Sequence, residues 1–281
     1  MLESWQAVVL GLVEGITEYL PISSTGHLIL AESLLGLRGE AQKPAIDAFT
    51  VVIQGGSILA VLGLYWRHVL AMLRGVVGRD PVGLRLLVNL LIAFVPAAVV
   101  GLTLDHWIEA HLFRAGPVLA ALAGGGVFMI ALHRRLLRSP VTGGEHGIEQ
   151  VDTRQAALIG AVQCLALWPG MSRSMVVIAA CLVLGLRRRD AAEFSFLLGL
   201  PTLGGACVWK IFKERELVAT LGAKPVVLGV AVATVSAALA VRWLVAFLNR
   251  RGLEPFGWYR LALAGLLWIS LVLGWVELGL S

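Results

Sequence analysis

Two glutamates, Glu14 and Glu18, stand four residues apart in an apolar stretch near the start of the chain. On a helix they share one face, because side chains four apart are neighbours. A carboxylate in apolar surroundings is costly unless neutralised, so such a pair shares a proton or holds a cation. The pair therefore predicts a functional site, the alternative being a polar face that lines a water-filled vestibule.

Hydroxyl groups and a histidine follow Pro21, at Ser23, Ser24, Thr25 and His27. Serine and threonine are favoured helix N-caps, and a helix N-terminus with free N–H groups binds anions. Plain capping without a ligand is the alternative. A histidine in an apolar stretch is more often a satisfied buried residue, but the nearby carboxylates favour a catalytic role for His27.

A second set of hydroxyl groups follows Pro169 and flanks an arginine, at Ser172, Arg173 and Ser174. Arginine stays charged, and its planar guanidinium binds phosphate through two parallel hydrogen bonds. This segment therefore predicts a phosphate-binding helix N-terminus. A salt bridge from Arg173 to Glu14 or Glu18 is the alternative, and both interpretations can hold in an empty site.

The composition places these residues in a membrane protein. The 281 residues are 58% hydrophobic and 15% charged, with a mean hydropathy of +0.84. Soluble domains carry about 25% charged residues. Long apolar runs exclude disorder and a β-barrel, which shows alternating segments of about ten residues. The net charge of +5 does not indicate nucleic-acid binding, because the basic residues flank apolar runs.

Six apolar runs approach the length that crosses a bilayer: 48–66, 87–104, 116–132, 194–209, 225–241 and 261–276. Two further apolar regions, 4–31 and 155–186, carry a proline and charged residues in the middle. A proline stops a helix, so each is predicted to form two short helices around a break. The predicted fold is an all-α integral membrane protein with six transmembrane helices and two re-entrant helix hairpins.

The two broken regions resemble each other. Residues 7–19 match residues 156–168 at an offset of 149, and the offset from the prolines onward is 148, which pairs Ser24 with Ser172. This pattern predicts an internal duplication with one residue gained or lost at the break. Duplicated broken helices indicate a binding site near the bilayer midplane, where the repeats meet.

Basic residues cluster in four connections, at 67–85, 134–138, 187–189 and 250–251. The positive-inside rule assigns these connections to the cytoplasm. The spans then alternate only if both broken regions are re-entrant, which makes the repeats inverted. The chain is predicted to be one domain, 1–281, with repeats at about 1–110 and 150–281. Predicted to lie outside are both termini and segments 32–47, 105–114 and 210–224.

These predictions converge on a phosphate-bearing ligand. Helix N-termini and an arginine attract a polyanion, whereas two carboxylates repel it unless a divalent cation bridges them. Mg²⁺ or Ca²⁺, which prefer oxygen ligands, meet that need. A membrane lipid with a phosphate head group is the natural ligand, because no soluble domain delivers a substrate.

Four segments carry a family resemblance: 14–27, 51–54, 168–174 and 193–198. They resemble the undecaprenyl-diphosphate phosphatases, also called bacitracin-resistance proteins, and the similarity extends over essentially the whole chain. The resemblance implies hydrolysis of undecaprenyl diphosphate to the monophosphate and inorganic phosphate at the outer face of the bacterial inner membrane. That reaction recycles the carrier lipid for peptidoglycan synthesis, and the resemblance implies that it uses Mg²⁺ or Ca²⁺.

The resemblance also implies residue roles. The catalytic residues are Glu14, Glu18, Ser24, His27 and Arg173, of which the two glutamates hold the metal. The nucleophile, or the group that activates water, is Ser24 or His27. The predicted substrate contacts are Ser23, Thr25, Gln54, Ser172 and Ser174.

The sequence departs from the family pattern at three positions. Met175 and Val177 replace a glycine and a threonine, and Thr50 replaces a glutamate. The first two add bulk one turn into the helix of Arg173, so we expect an altered phosphate pocket. A flippase for polyprenyl phosphates is the alternative function, since transporters often have inverted repeats with broken helices. The carboxylate pair beside His27 favours an enzyme, and a homodimer is compatible with the sequence.

Overall fold

A computed structural model describes residues 2–39, 42–138 and 146–274. Within these residues the regular secondary structure is helical, apart from one isolated bridge between His146 and Leu186. The α-helices in this part of the chain are α1 (Ser4–Thr17), α2 (Ser24–Leu34), α3 (Lys43–Leu64), α4 (Trp66–Val76), α5 (Pro81–Leu112), α6 (Ala115–Arg138), α7 (Thr153–Gln163), α8 (Arg173–Val183), α9 (Arg188–Lys213), α10 (Arg215–Thr220), α11 (Ala223–Arg251) and α12 (Glu254–Val272).

Six of these helices are long and apolar enough to cross a membrane: α3, α5, α6, α9, α11 and α12. They coincide with the six predicted runs, which confirms the all-α fold with six spans. Helix α5 extends beyond its predicted run at both ends. It begins at Pro81, where the Asp80 carboxylate accepts a hydrogen bond from the Gly83 N–H at 2.8 Å. Its last turns include residues 105–112, which were predicted to be a connection.

Both predicted breaks are confirmed. Helix α1 ends at Thr17 and α2 begins at Ser24. In the second region α7 ends at Gln163, a short 3₁₀ helix follows, and α8 begins at Arg173. The prolines lie inside the breaks, as expected from the lost N–H group and the steric clash of the ring. The re-entrant course of the two hairpins remains a prediction.

The two halves of the chain are interleaved by helix packing. Helix α1 packs against α11 of the second half, and α7 packs against α5 of the first half. A Cβ atom on Gly11 would lie 2.5 Å from the Gly229 carbonyl oxygen, and one on Gly160 would lie 2.6 Å from the Ala93 carbonyl oxygen. Glycine therefore allows close backbone approach at matched positions of both contacts, which agrees with the predicted duplication.

Two connections contain helices that the sequence analysis did not predict, α4 and α10. Helix α4 buries Met72 and Gly75 while Arg67 and Arg74 remain exposed. Its 11 residues are too few for a membrane span. Basic residues interrupt its apolar stripe, so the sequence shows no long apolar run here. The segment was therefore interpreted as a connection.

A few predicted features include residues outside the described part of the chain. Glu40 of the outer segment 32–47 and the last two residues of the run 261–276 belong to this group. The bounds of the predicted repeats also reach into it, at 1–110 and 150–281.

Candidate active site

Each break ends on a serine in an unusual backbone conformation. Ser23 and Ser172 have φ angles of 73° and 70°, and they are the non-glycine residues with positive φ in the described part of the chain. Each hydroxyl oxygen accepts a hydrogen bond from a backbone N–H one turn along, of Gly26 or Met175, at 3.4 Å. Left-handed conformations of such residues are strained and concentrate at functional sites. The two serine caps are therefore equivalent positions of the two breaks, and each maintains a strained backbone conformation.

The caps correct the predicted register of the duplication. Ser23 and Ser172 are 149 positions apart, the offset of the preceding helices. No residue is gained or lost before the caps, so the predicted change to 148 is wrong. Ser24 corresponds to Arg173 instead of Ser172. The prolines misled the alignment because they occupy different positions within the two breaks, whereas the cap conformation fixes the start of each helix.

The first residues of α2 and α8 meet on one carboxylate. The Ser24 hydroxyl donates to Oε2 of Glu18 at 2.7 Å. Nη2 of Arg173 donates to Oε1 of the same residue at 3.3 Å and forms an ion pair with it. The salt bridge considered for Arg173 is therefore present. It also brings the hydroxyl, the carboxylate and the guanidinium together between two helix N-termini.

The guanidinium of Arg173 is held from several sides. Nη1 donates to the Ser195 carbonyl oxygen at 2.7 Å, and the guanidinium carbon lies 5.4 Å from the centre of the Tyr19 ring. A Cβ atom on Gly199 would lie 3.0 Å from both terminal nitrogens, so glycine provides the space that the guanidinium fills. Helix α9 therefore sets the orientation of Arg173. Sequence reasoning gave neither Tyr19 nor Gly199 a role in the site.

Glu14 lies one turn before Glu18 and is only 1% exposed. This burial argues against the water-filled vestibule considered from the sequence. Its Oε1 has no hydrogen-bond partner among the described residues. A buried acceptor without a partner costs on the order of 1–3 kcal/mol, and more when it is charged. The orphaned oxygen therefore indicates a missing ligand, either a proton or a cation.

The donor set agrees in part with a metal site. Hard cations take carboxylate oxygens, and Mg²⁺ commonly binds one or two carboxylates together with substrate phosphates. Glu14 supplies a free oxygen, whereas both oxygens of Glu18 already accept hydrogen bonds. No group of three or more His, Cys, Asp or Glu side chains that could hold an ion occurs in the described ranges. The two glutamates fit a cation that also needs oxygens from a substrate.

His27 has partners at both ring nitrogens. Nδ1 lies 2.7 Å from the Ser23 carbonyl oxygen, and Nε2 lies 2.7 Å from the Tyr259 hydroxyl. A carbonyl oxygen only accepts, so Nδ1 carries the proton in the neutral ring and Nε2 accepts from Tyr259. The two rings are stacked, with centroids 5.6 Å apart. Sequence reasoning missed Tyr259 because it is distant in the chain and belongs to no local motif.

The other predicted substrate contacts fall into two groups. The hydroxyl oxygens of Ser172 and Ser174 lie 3.1 Å apart, and that of Ser174 donates to the Leu20 carbonyl oxygen at 3.0 Å. Ser174 therefore links the second break to the first. Thr25 is the second residue of α2 and Gln54 lies half-buried on α3. No side-chain hydrogen bond of these two residues occurs within the described ranges, so none ties them to either break.

The three departures from the family pattern lie in different surroundings. Met175 and Val177 are buried in the main hydrophobic core, which also includes side chains of α5, α9 and α11. The hydroxyl of Thr50 donates to the Asp47 carbonyl oxygen on its own helix at 2.9 Å. The added bulk of Met175 and Val177 is thus packed into the core by the helix that Arg173 begins.

Comparison with known proteins identifies relatives over most of the chain. The family model of the bacitracin resistance protein BacA matches residues 7–266. An undecaprenyl-diphosphatase of Sorangium cellulosum is 46% identical, covering 94% of this chain and 86% of that protein. One of Deinococcus deserti is 45% identical over 95% of both chains. Undecaprenyl-diphosphatase 2 of Rhodospirillum rubrum is 44% identical over 92% of this chain and 91% of its own. The chain therefore belongs to the family of the bacitracin resistance protein BacA.

Proposed function

We propose that this protein is an undecaprenyl-diphosphatase of the bacterial inner membrane, which it crosses several times. It hydrolyses undecaprenyl diphosphate to undecaprenyl phosphate and inorganic phosphate. Relatives of that name match more than nine-tenths of the chain. The observation that carries the proposal is the junction at Glu18, where Ser24 and Arg173 from the two breaks meet on one carboxylate. A nucleophile, a proton acceptor and a phosphate-binding cation are thus in contact.

The diphosphate is bound by the facing helix N-termini. Free backbone N–H groups and the helix dipoles of α2 and α8 attract negative charge. Arg173 exchanges its long contact with Glu18, 3.3 Å, for phosphate oxygens, which its planar fork binds through two hydrogen bonds. The hydroxyl of Ser172 turns from Ser174 towards the phosphate and adds a donor beside it, whereas Ser174 keeps its bond to the Leu20 carbonyl oxygen. The lipid chain stays in the bilayer while the head group enters between the breaks.

Ser24 is the proposed nucleophile. Its oxygen attacks the terminal phosphorus, and its proton passes to Glu18, to which it already donates a hydrogen bond. A phosphorus–oxygen bond forms at Ser24 while the bond to the bridging oxygen breaks, so undecaprenyl phosphate leaves. Water then hydrolyses the phosphoserine, releasing inorganic phosphate. His27 lies one turn along α2 from Ser24 and assists this second step as a base through Nε2, once the attacking water replaces the Tyr259 hydroxyl as the donor to that nitrogen.

The two glutamates are the proposed ligands of Mg²⁺ or Ca²⁺. Glu14 contributes its orphaned oxygen, and Glu18 lies on the same helix face. A bound divalent cation would neutralise negative charge on the substrate phosphates, which lowers the barrier to phosphoryl transfer. The protein side chains alone would otherwise leave two carboxylates facing a polyanion.

We also propose, as a separate matter, that the protein forms a homodimer, which its mass in detergent solution tests.

The test is phosphate release from undecaprenyl diphosphate by the purified protein in detergent. Detergent micelles contain no membrane to cross, so release of phosphate separates an enzyme from a lipid flippase. Substrate labelled in the terminal phosphate should leave label on the wild-type chain and on His27→Gln after a rapid acid quench. Ser24→Ala should carry no label. Label retained by Ser24→Ala would exclude Ser24 as the nucleophile, and absence of phosphate release would overturn the function.

A further inference from the structure

Arg260 is a buried cation on α12 outside the residues assigned to the reaction. Its side chain is 0% exposed, and none of the ion pairs among the described residues includes it. Its partners are carbonyl oxygens instead. Nη2 donates to Ala121 at 2.9 Å and to Gly170 at 2.8 Å, and Nε donates to Leu122 at 3.3 Å. A buried charge without a counter-ion is expensive, so its position requires a compensating role.

The glycine-rich stretch of α6 makes room for this arginine. A Cβ atom on Gly125 would collide with the Arg260 guanidinium, and one on Gly126 would lie 2.9 Å from the Gly257 carbonyl oxygen. Glycines in a helix interior cost about 0.5–1 kcal/mol each relative to alanine. Two helix-destabilising residues thus allow α6 and α12 to approach and enclose the guanidinium.

The third carbonyl that Arg260 holds belongs to the second break. Gly170 has a φ of 93° and lies two residues before the Ser172 cap. The same break is fixed to α6 by the indole N–H of Trp168, which donates to the Pro117 carbonyl oxygen at 3.0 Å. Arg260 adds a charged donor at the point where the chain turns towards the phosphate-binding helix. Its hydrogen bond to the Gly170 carbonyl oxygen therefore constrains the position of the Ser172 cap and of Arg173 at the start of α8.

The preceding residue on α12 reaches the other break. Tyr259 donates to Nε2 of His27 at 2.7 Å and stacks on its ring. Consecutive residues of a helix point about 100° apart, so one turn can address two neighbours in different directions. Tyr259 holds the imidazole of His27 on α2, which in turn donates to the Ser23 carbonyl oxygen of the first break, while Arg260 holds the backbone of the second. One dipeptide on α12 thus contacts both halves of the site.

We infer that Tyr259 and Arg260 are positioning residues that hold the two breaks relative to each other. The inference rests on the proposed function, since it assigns parts of that reaction to each break. Arg260 acts through the loop that presents Arg173, so its loss weakens phosphate binding. Tyr259 acts through His27, so its loss slows turnover. A purely structural role for this dipeptide would affect both quantities together.

The experiment measures kcat and KM for undecaprenyl diphosphate in detergent, with Mg²⁺ at saturation. Arg260→Met should raise KM by roughly tenfold with kcat within about threefold, and Arg260→Lys should recover part of the loss. Tyr259→Phe should lower kcat by roughly tenfold with KM within about threefold. Trp258→Phe is the matched control, because Trp258 is the adjacent residue and is 54% exposed. It should behave as wild type.

Two further measurements distinguish failure of the positioning roles from failure of the proposed function. Binding of inorganic diphosphate, measured by calorimetry, should weaken in Arg260→Met and stay unchanged in Tyr259→Phe, whether or not the protein turns over lipid. In an Arg173→Ala background, Arg260→Met should raise KM by less than about twofold, because coupled residues are not additive. Equal changes of kcat and KM in both single variants, or none, would overturn the positioning roles. A wild-type protein without phosphate release would overturn the proposed function instead.

Discussion

At the scale of single residues, the site depends on the carboxylate of Glu18. One oxygen accepts from the hydroxyl of Ser24 and the other from the guanidinium of Arg173. These donors start helices from opposite halves of the chain, so the carboxylate joins the two halves in addition to its proposed role in the reaction. A neutral residue of the same shape would accept one of these bonds and present an N–H group to the other donor.

Glu18→Gln therefore should reduce phosphate release by about 10²-fold or more, because the amide cannot take the Ser24 proton. Folding should persist, since the size is unchanged. The measurement is steady-state phosphate release across a titration of Mg²⁺. Glu216→Gln, an exposed position on α10, is the control and should retain full activity. Wild-type activity of Glu18→Gln at any metal concentration would exclude the role of Glu18 as base and ligand.

Arg173→Lys tests whether the guanidinium binds the diphosphate or only neutralises Glu18. Lysine keeps the charge but loses the planar fork. A charge-assisted hydrogen bond contributes on the order of 1.5–3 kcal/mol, so losing one should lower kcat/KM by roughly 10- to 150-fold. Arg173→Ala should lose more. Arg134→Lys removes the fork from an exposed ion pair with Glu254 and should have little effect.

A lysine variant at Arg173 within about threefold of wild type would leave only the salt bridge, since a tenfold change corresponds to about 1.4 kcal/mol. The same comparison shows why the sequence could not decide the question. Arginine chemistry predicts both interactions, and the observed ion pair is the one available without substrate. Only a variant that separates charge from geometry distinguishes them.

At the scale of secondary structure, run length and proline placement predicted six spans and two breaks correctly. Helix α4 was not predicted because its arginines interrupt the apolar pattern, although Met72 and Gly75 pack inward. The repeat register failed for a different reason. Prolines were aligned with each other, whereas the positive φ angles of Ser23 and Ser172 determine where α2 and α8 begin. Backbone conformation at a cap is not visible in residue types alone.

Helix packing at matched glycines gives a prediction about stability. Gly11→Ala would place a Cβ atom 2.5 Å from the Gly229 carbonyl oxygen, which forces α1 away from α11. Overpacking of this kind costs about 1–3 kcal/mol. Thermal unfolding in detergent should show a lower midpoint for Gly11→Ala. Gly63→Ala on α3 is the control, because nothing lies within 4 Å of its added methyl and alanine favours the helix.

The opposite order of midpoints would contradict the close approach of α1 and α11. In Gly11→Ala the rate of phosphate release at low temperature should stay close to that of wild type, even though the unfolding midpoint falls. Gly11 lies nearly a turn before Glu14 and touches none of the assigned groups. A large loss of turnover with an unchanged midpoint would place the α1–α11 contact in the reaction. The unfolding midpoint and the rate of phosphate release are both measured on the same samples of wild type and Gly11→Ala.

At the scale of the whole molecule, the site is assembled from both halves of the chain. The sequence predicted a site at the carboxylates, hydroxyls and Arg173, since these types are costly in an apolar stretch and cluster at the breaks, and the structure brings Glu18, Ser24 and Arg173 together. It did not identify Tyr259 or Arg260, which reach the breaks from α12 across the fold. Aromatic and basic residues at the end of an apolar run look like ordinary membrane anchors. Their roles depend on helix packing that no local pattern encodes.

The orientation of the molecule decides which membrane face the site opens to. If all basic connections are cytoplasmic, the second hairpin must be re-entrant, and the first is re-entrant when the N-terminus lies outside as predicted, an arrangement that would invert the two repeats. We expect a cysteine at Gly39 to react with a membrane-impermeant thiol reagent added to intact cells, and one at Arg79 to remain unlabelled. The background should carry alanine at Cys164, Cys181 and Cys207, which are the native cysteines. Labelling after permeabilisation controls for accessibility. Labelling of Arg79→Cys alone would reverse the orientation, and labelling of both would mean that α3 does not place the two positions on opposite sides of the membrane.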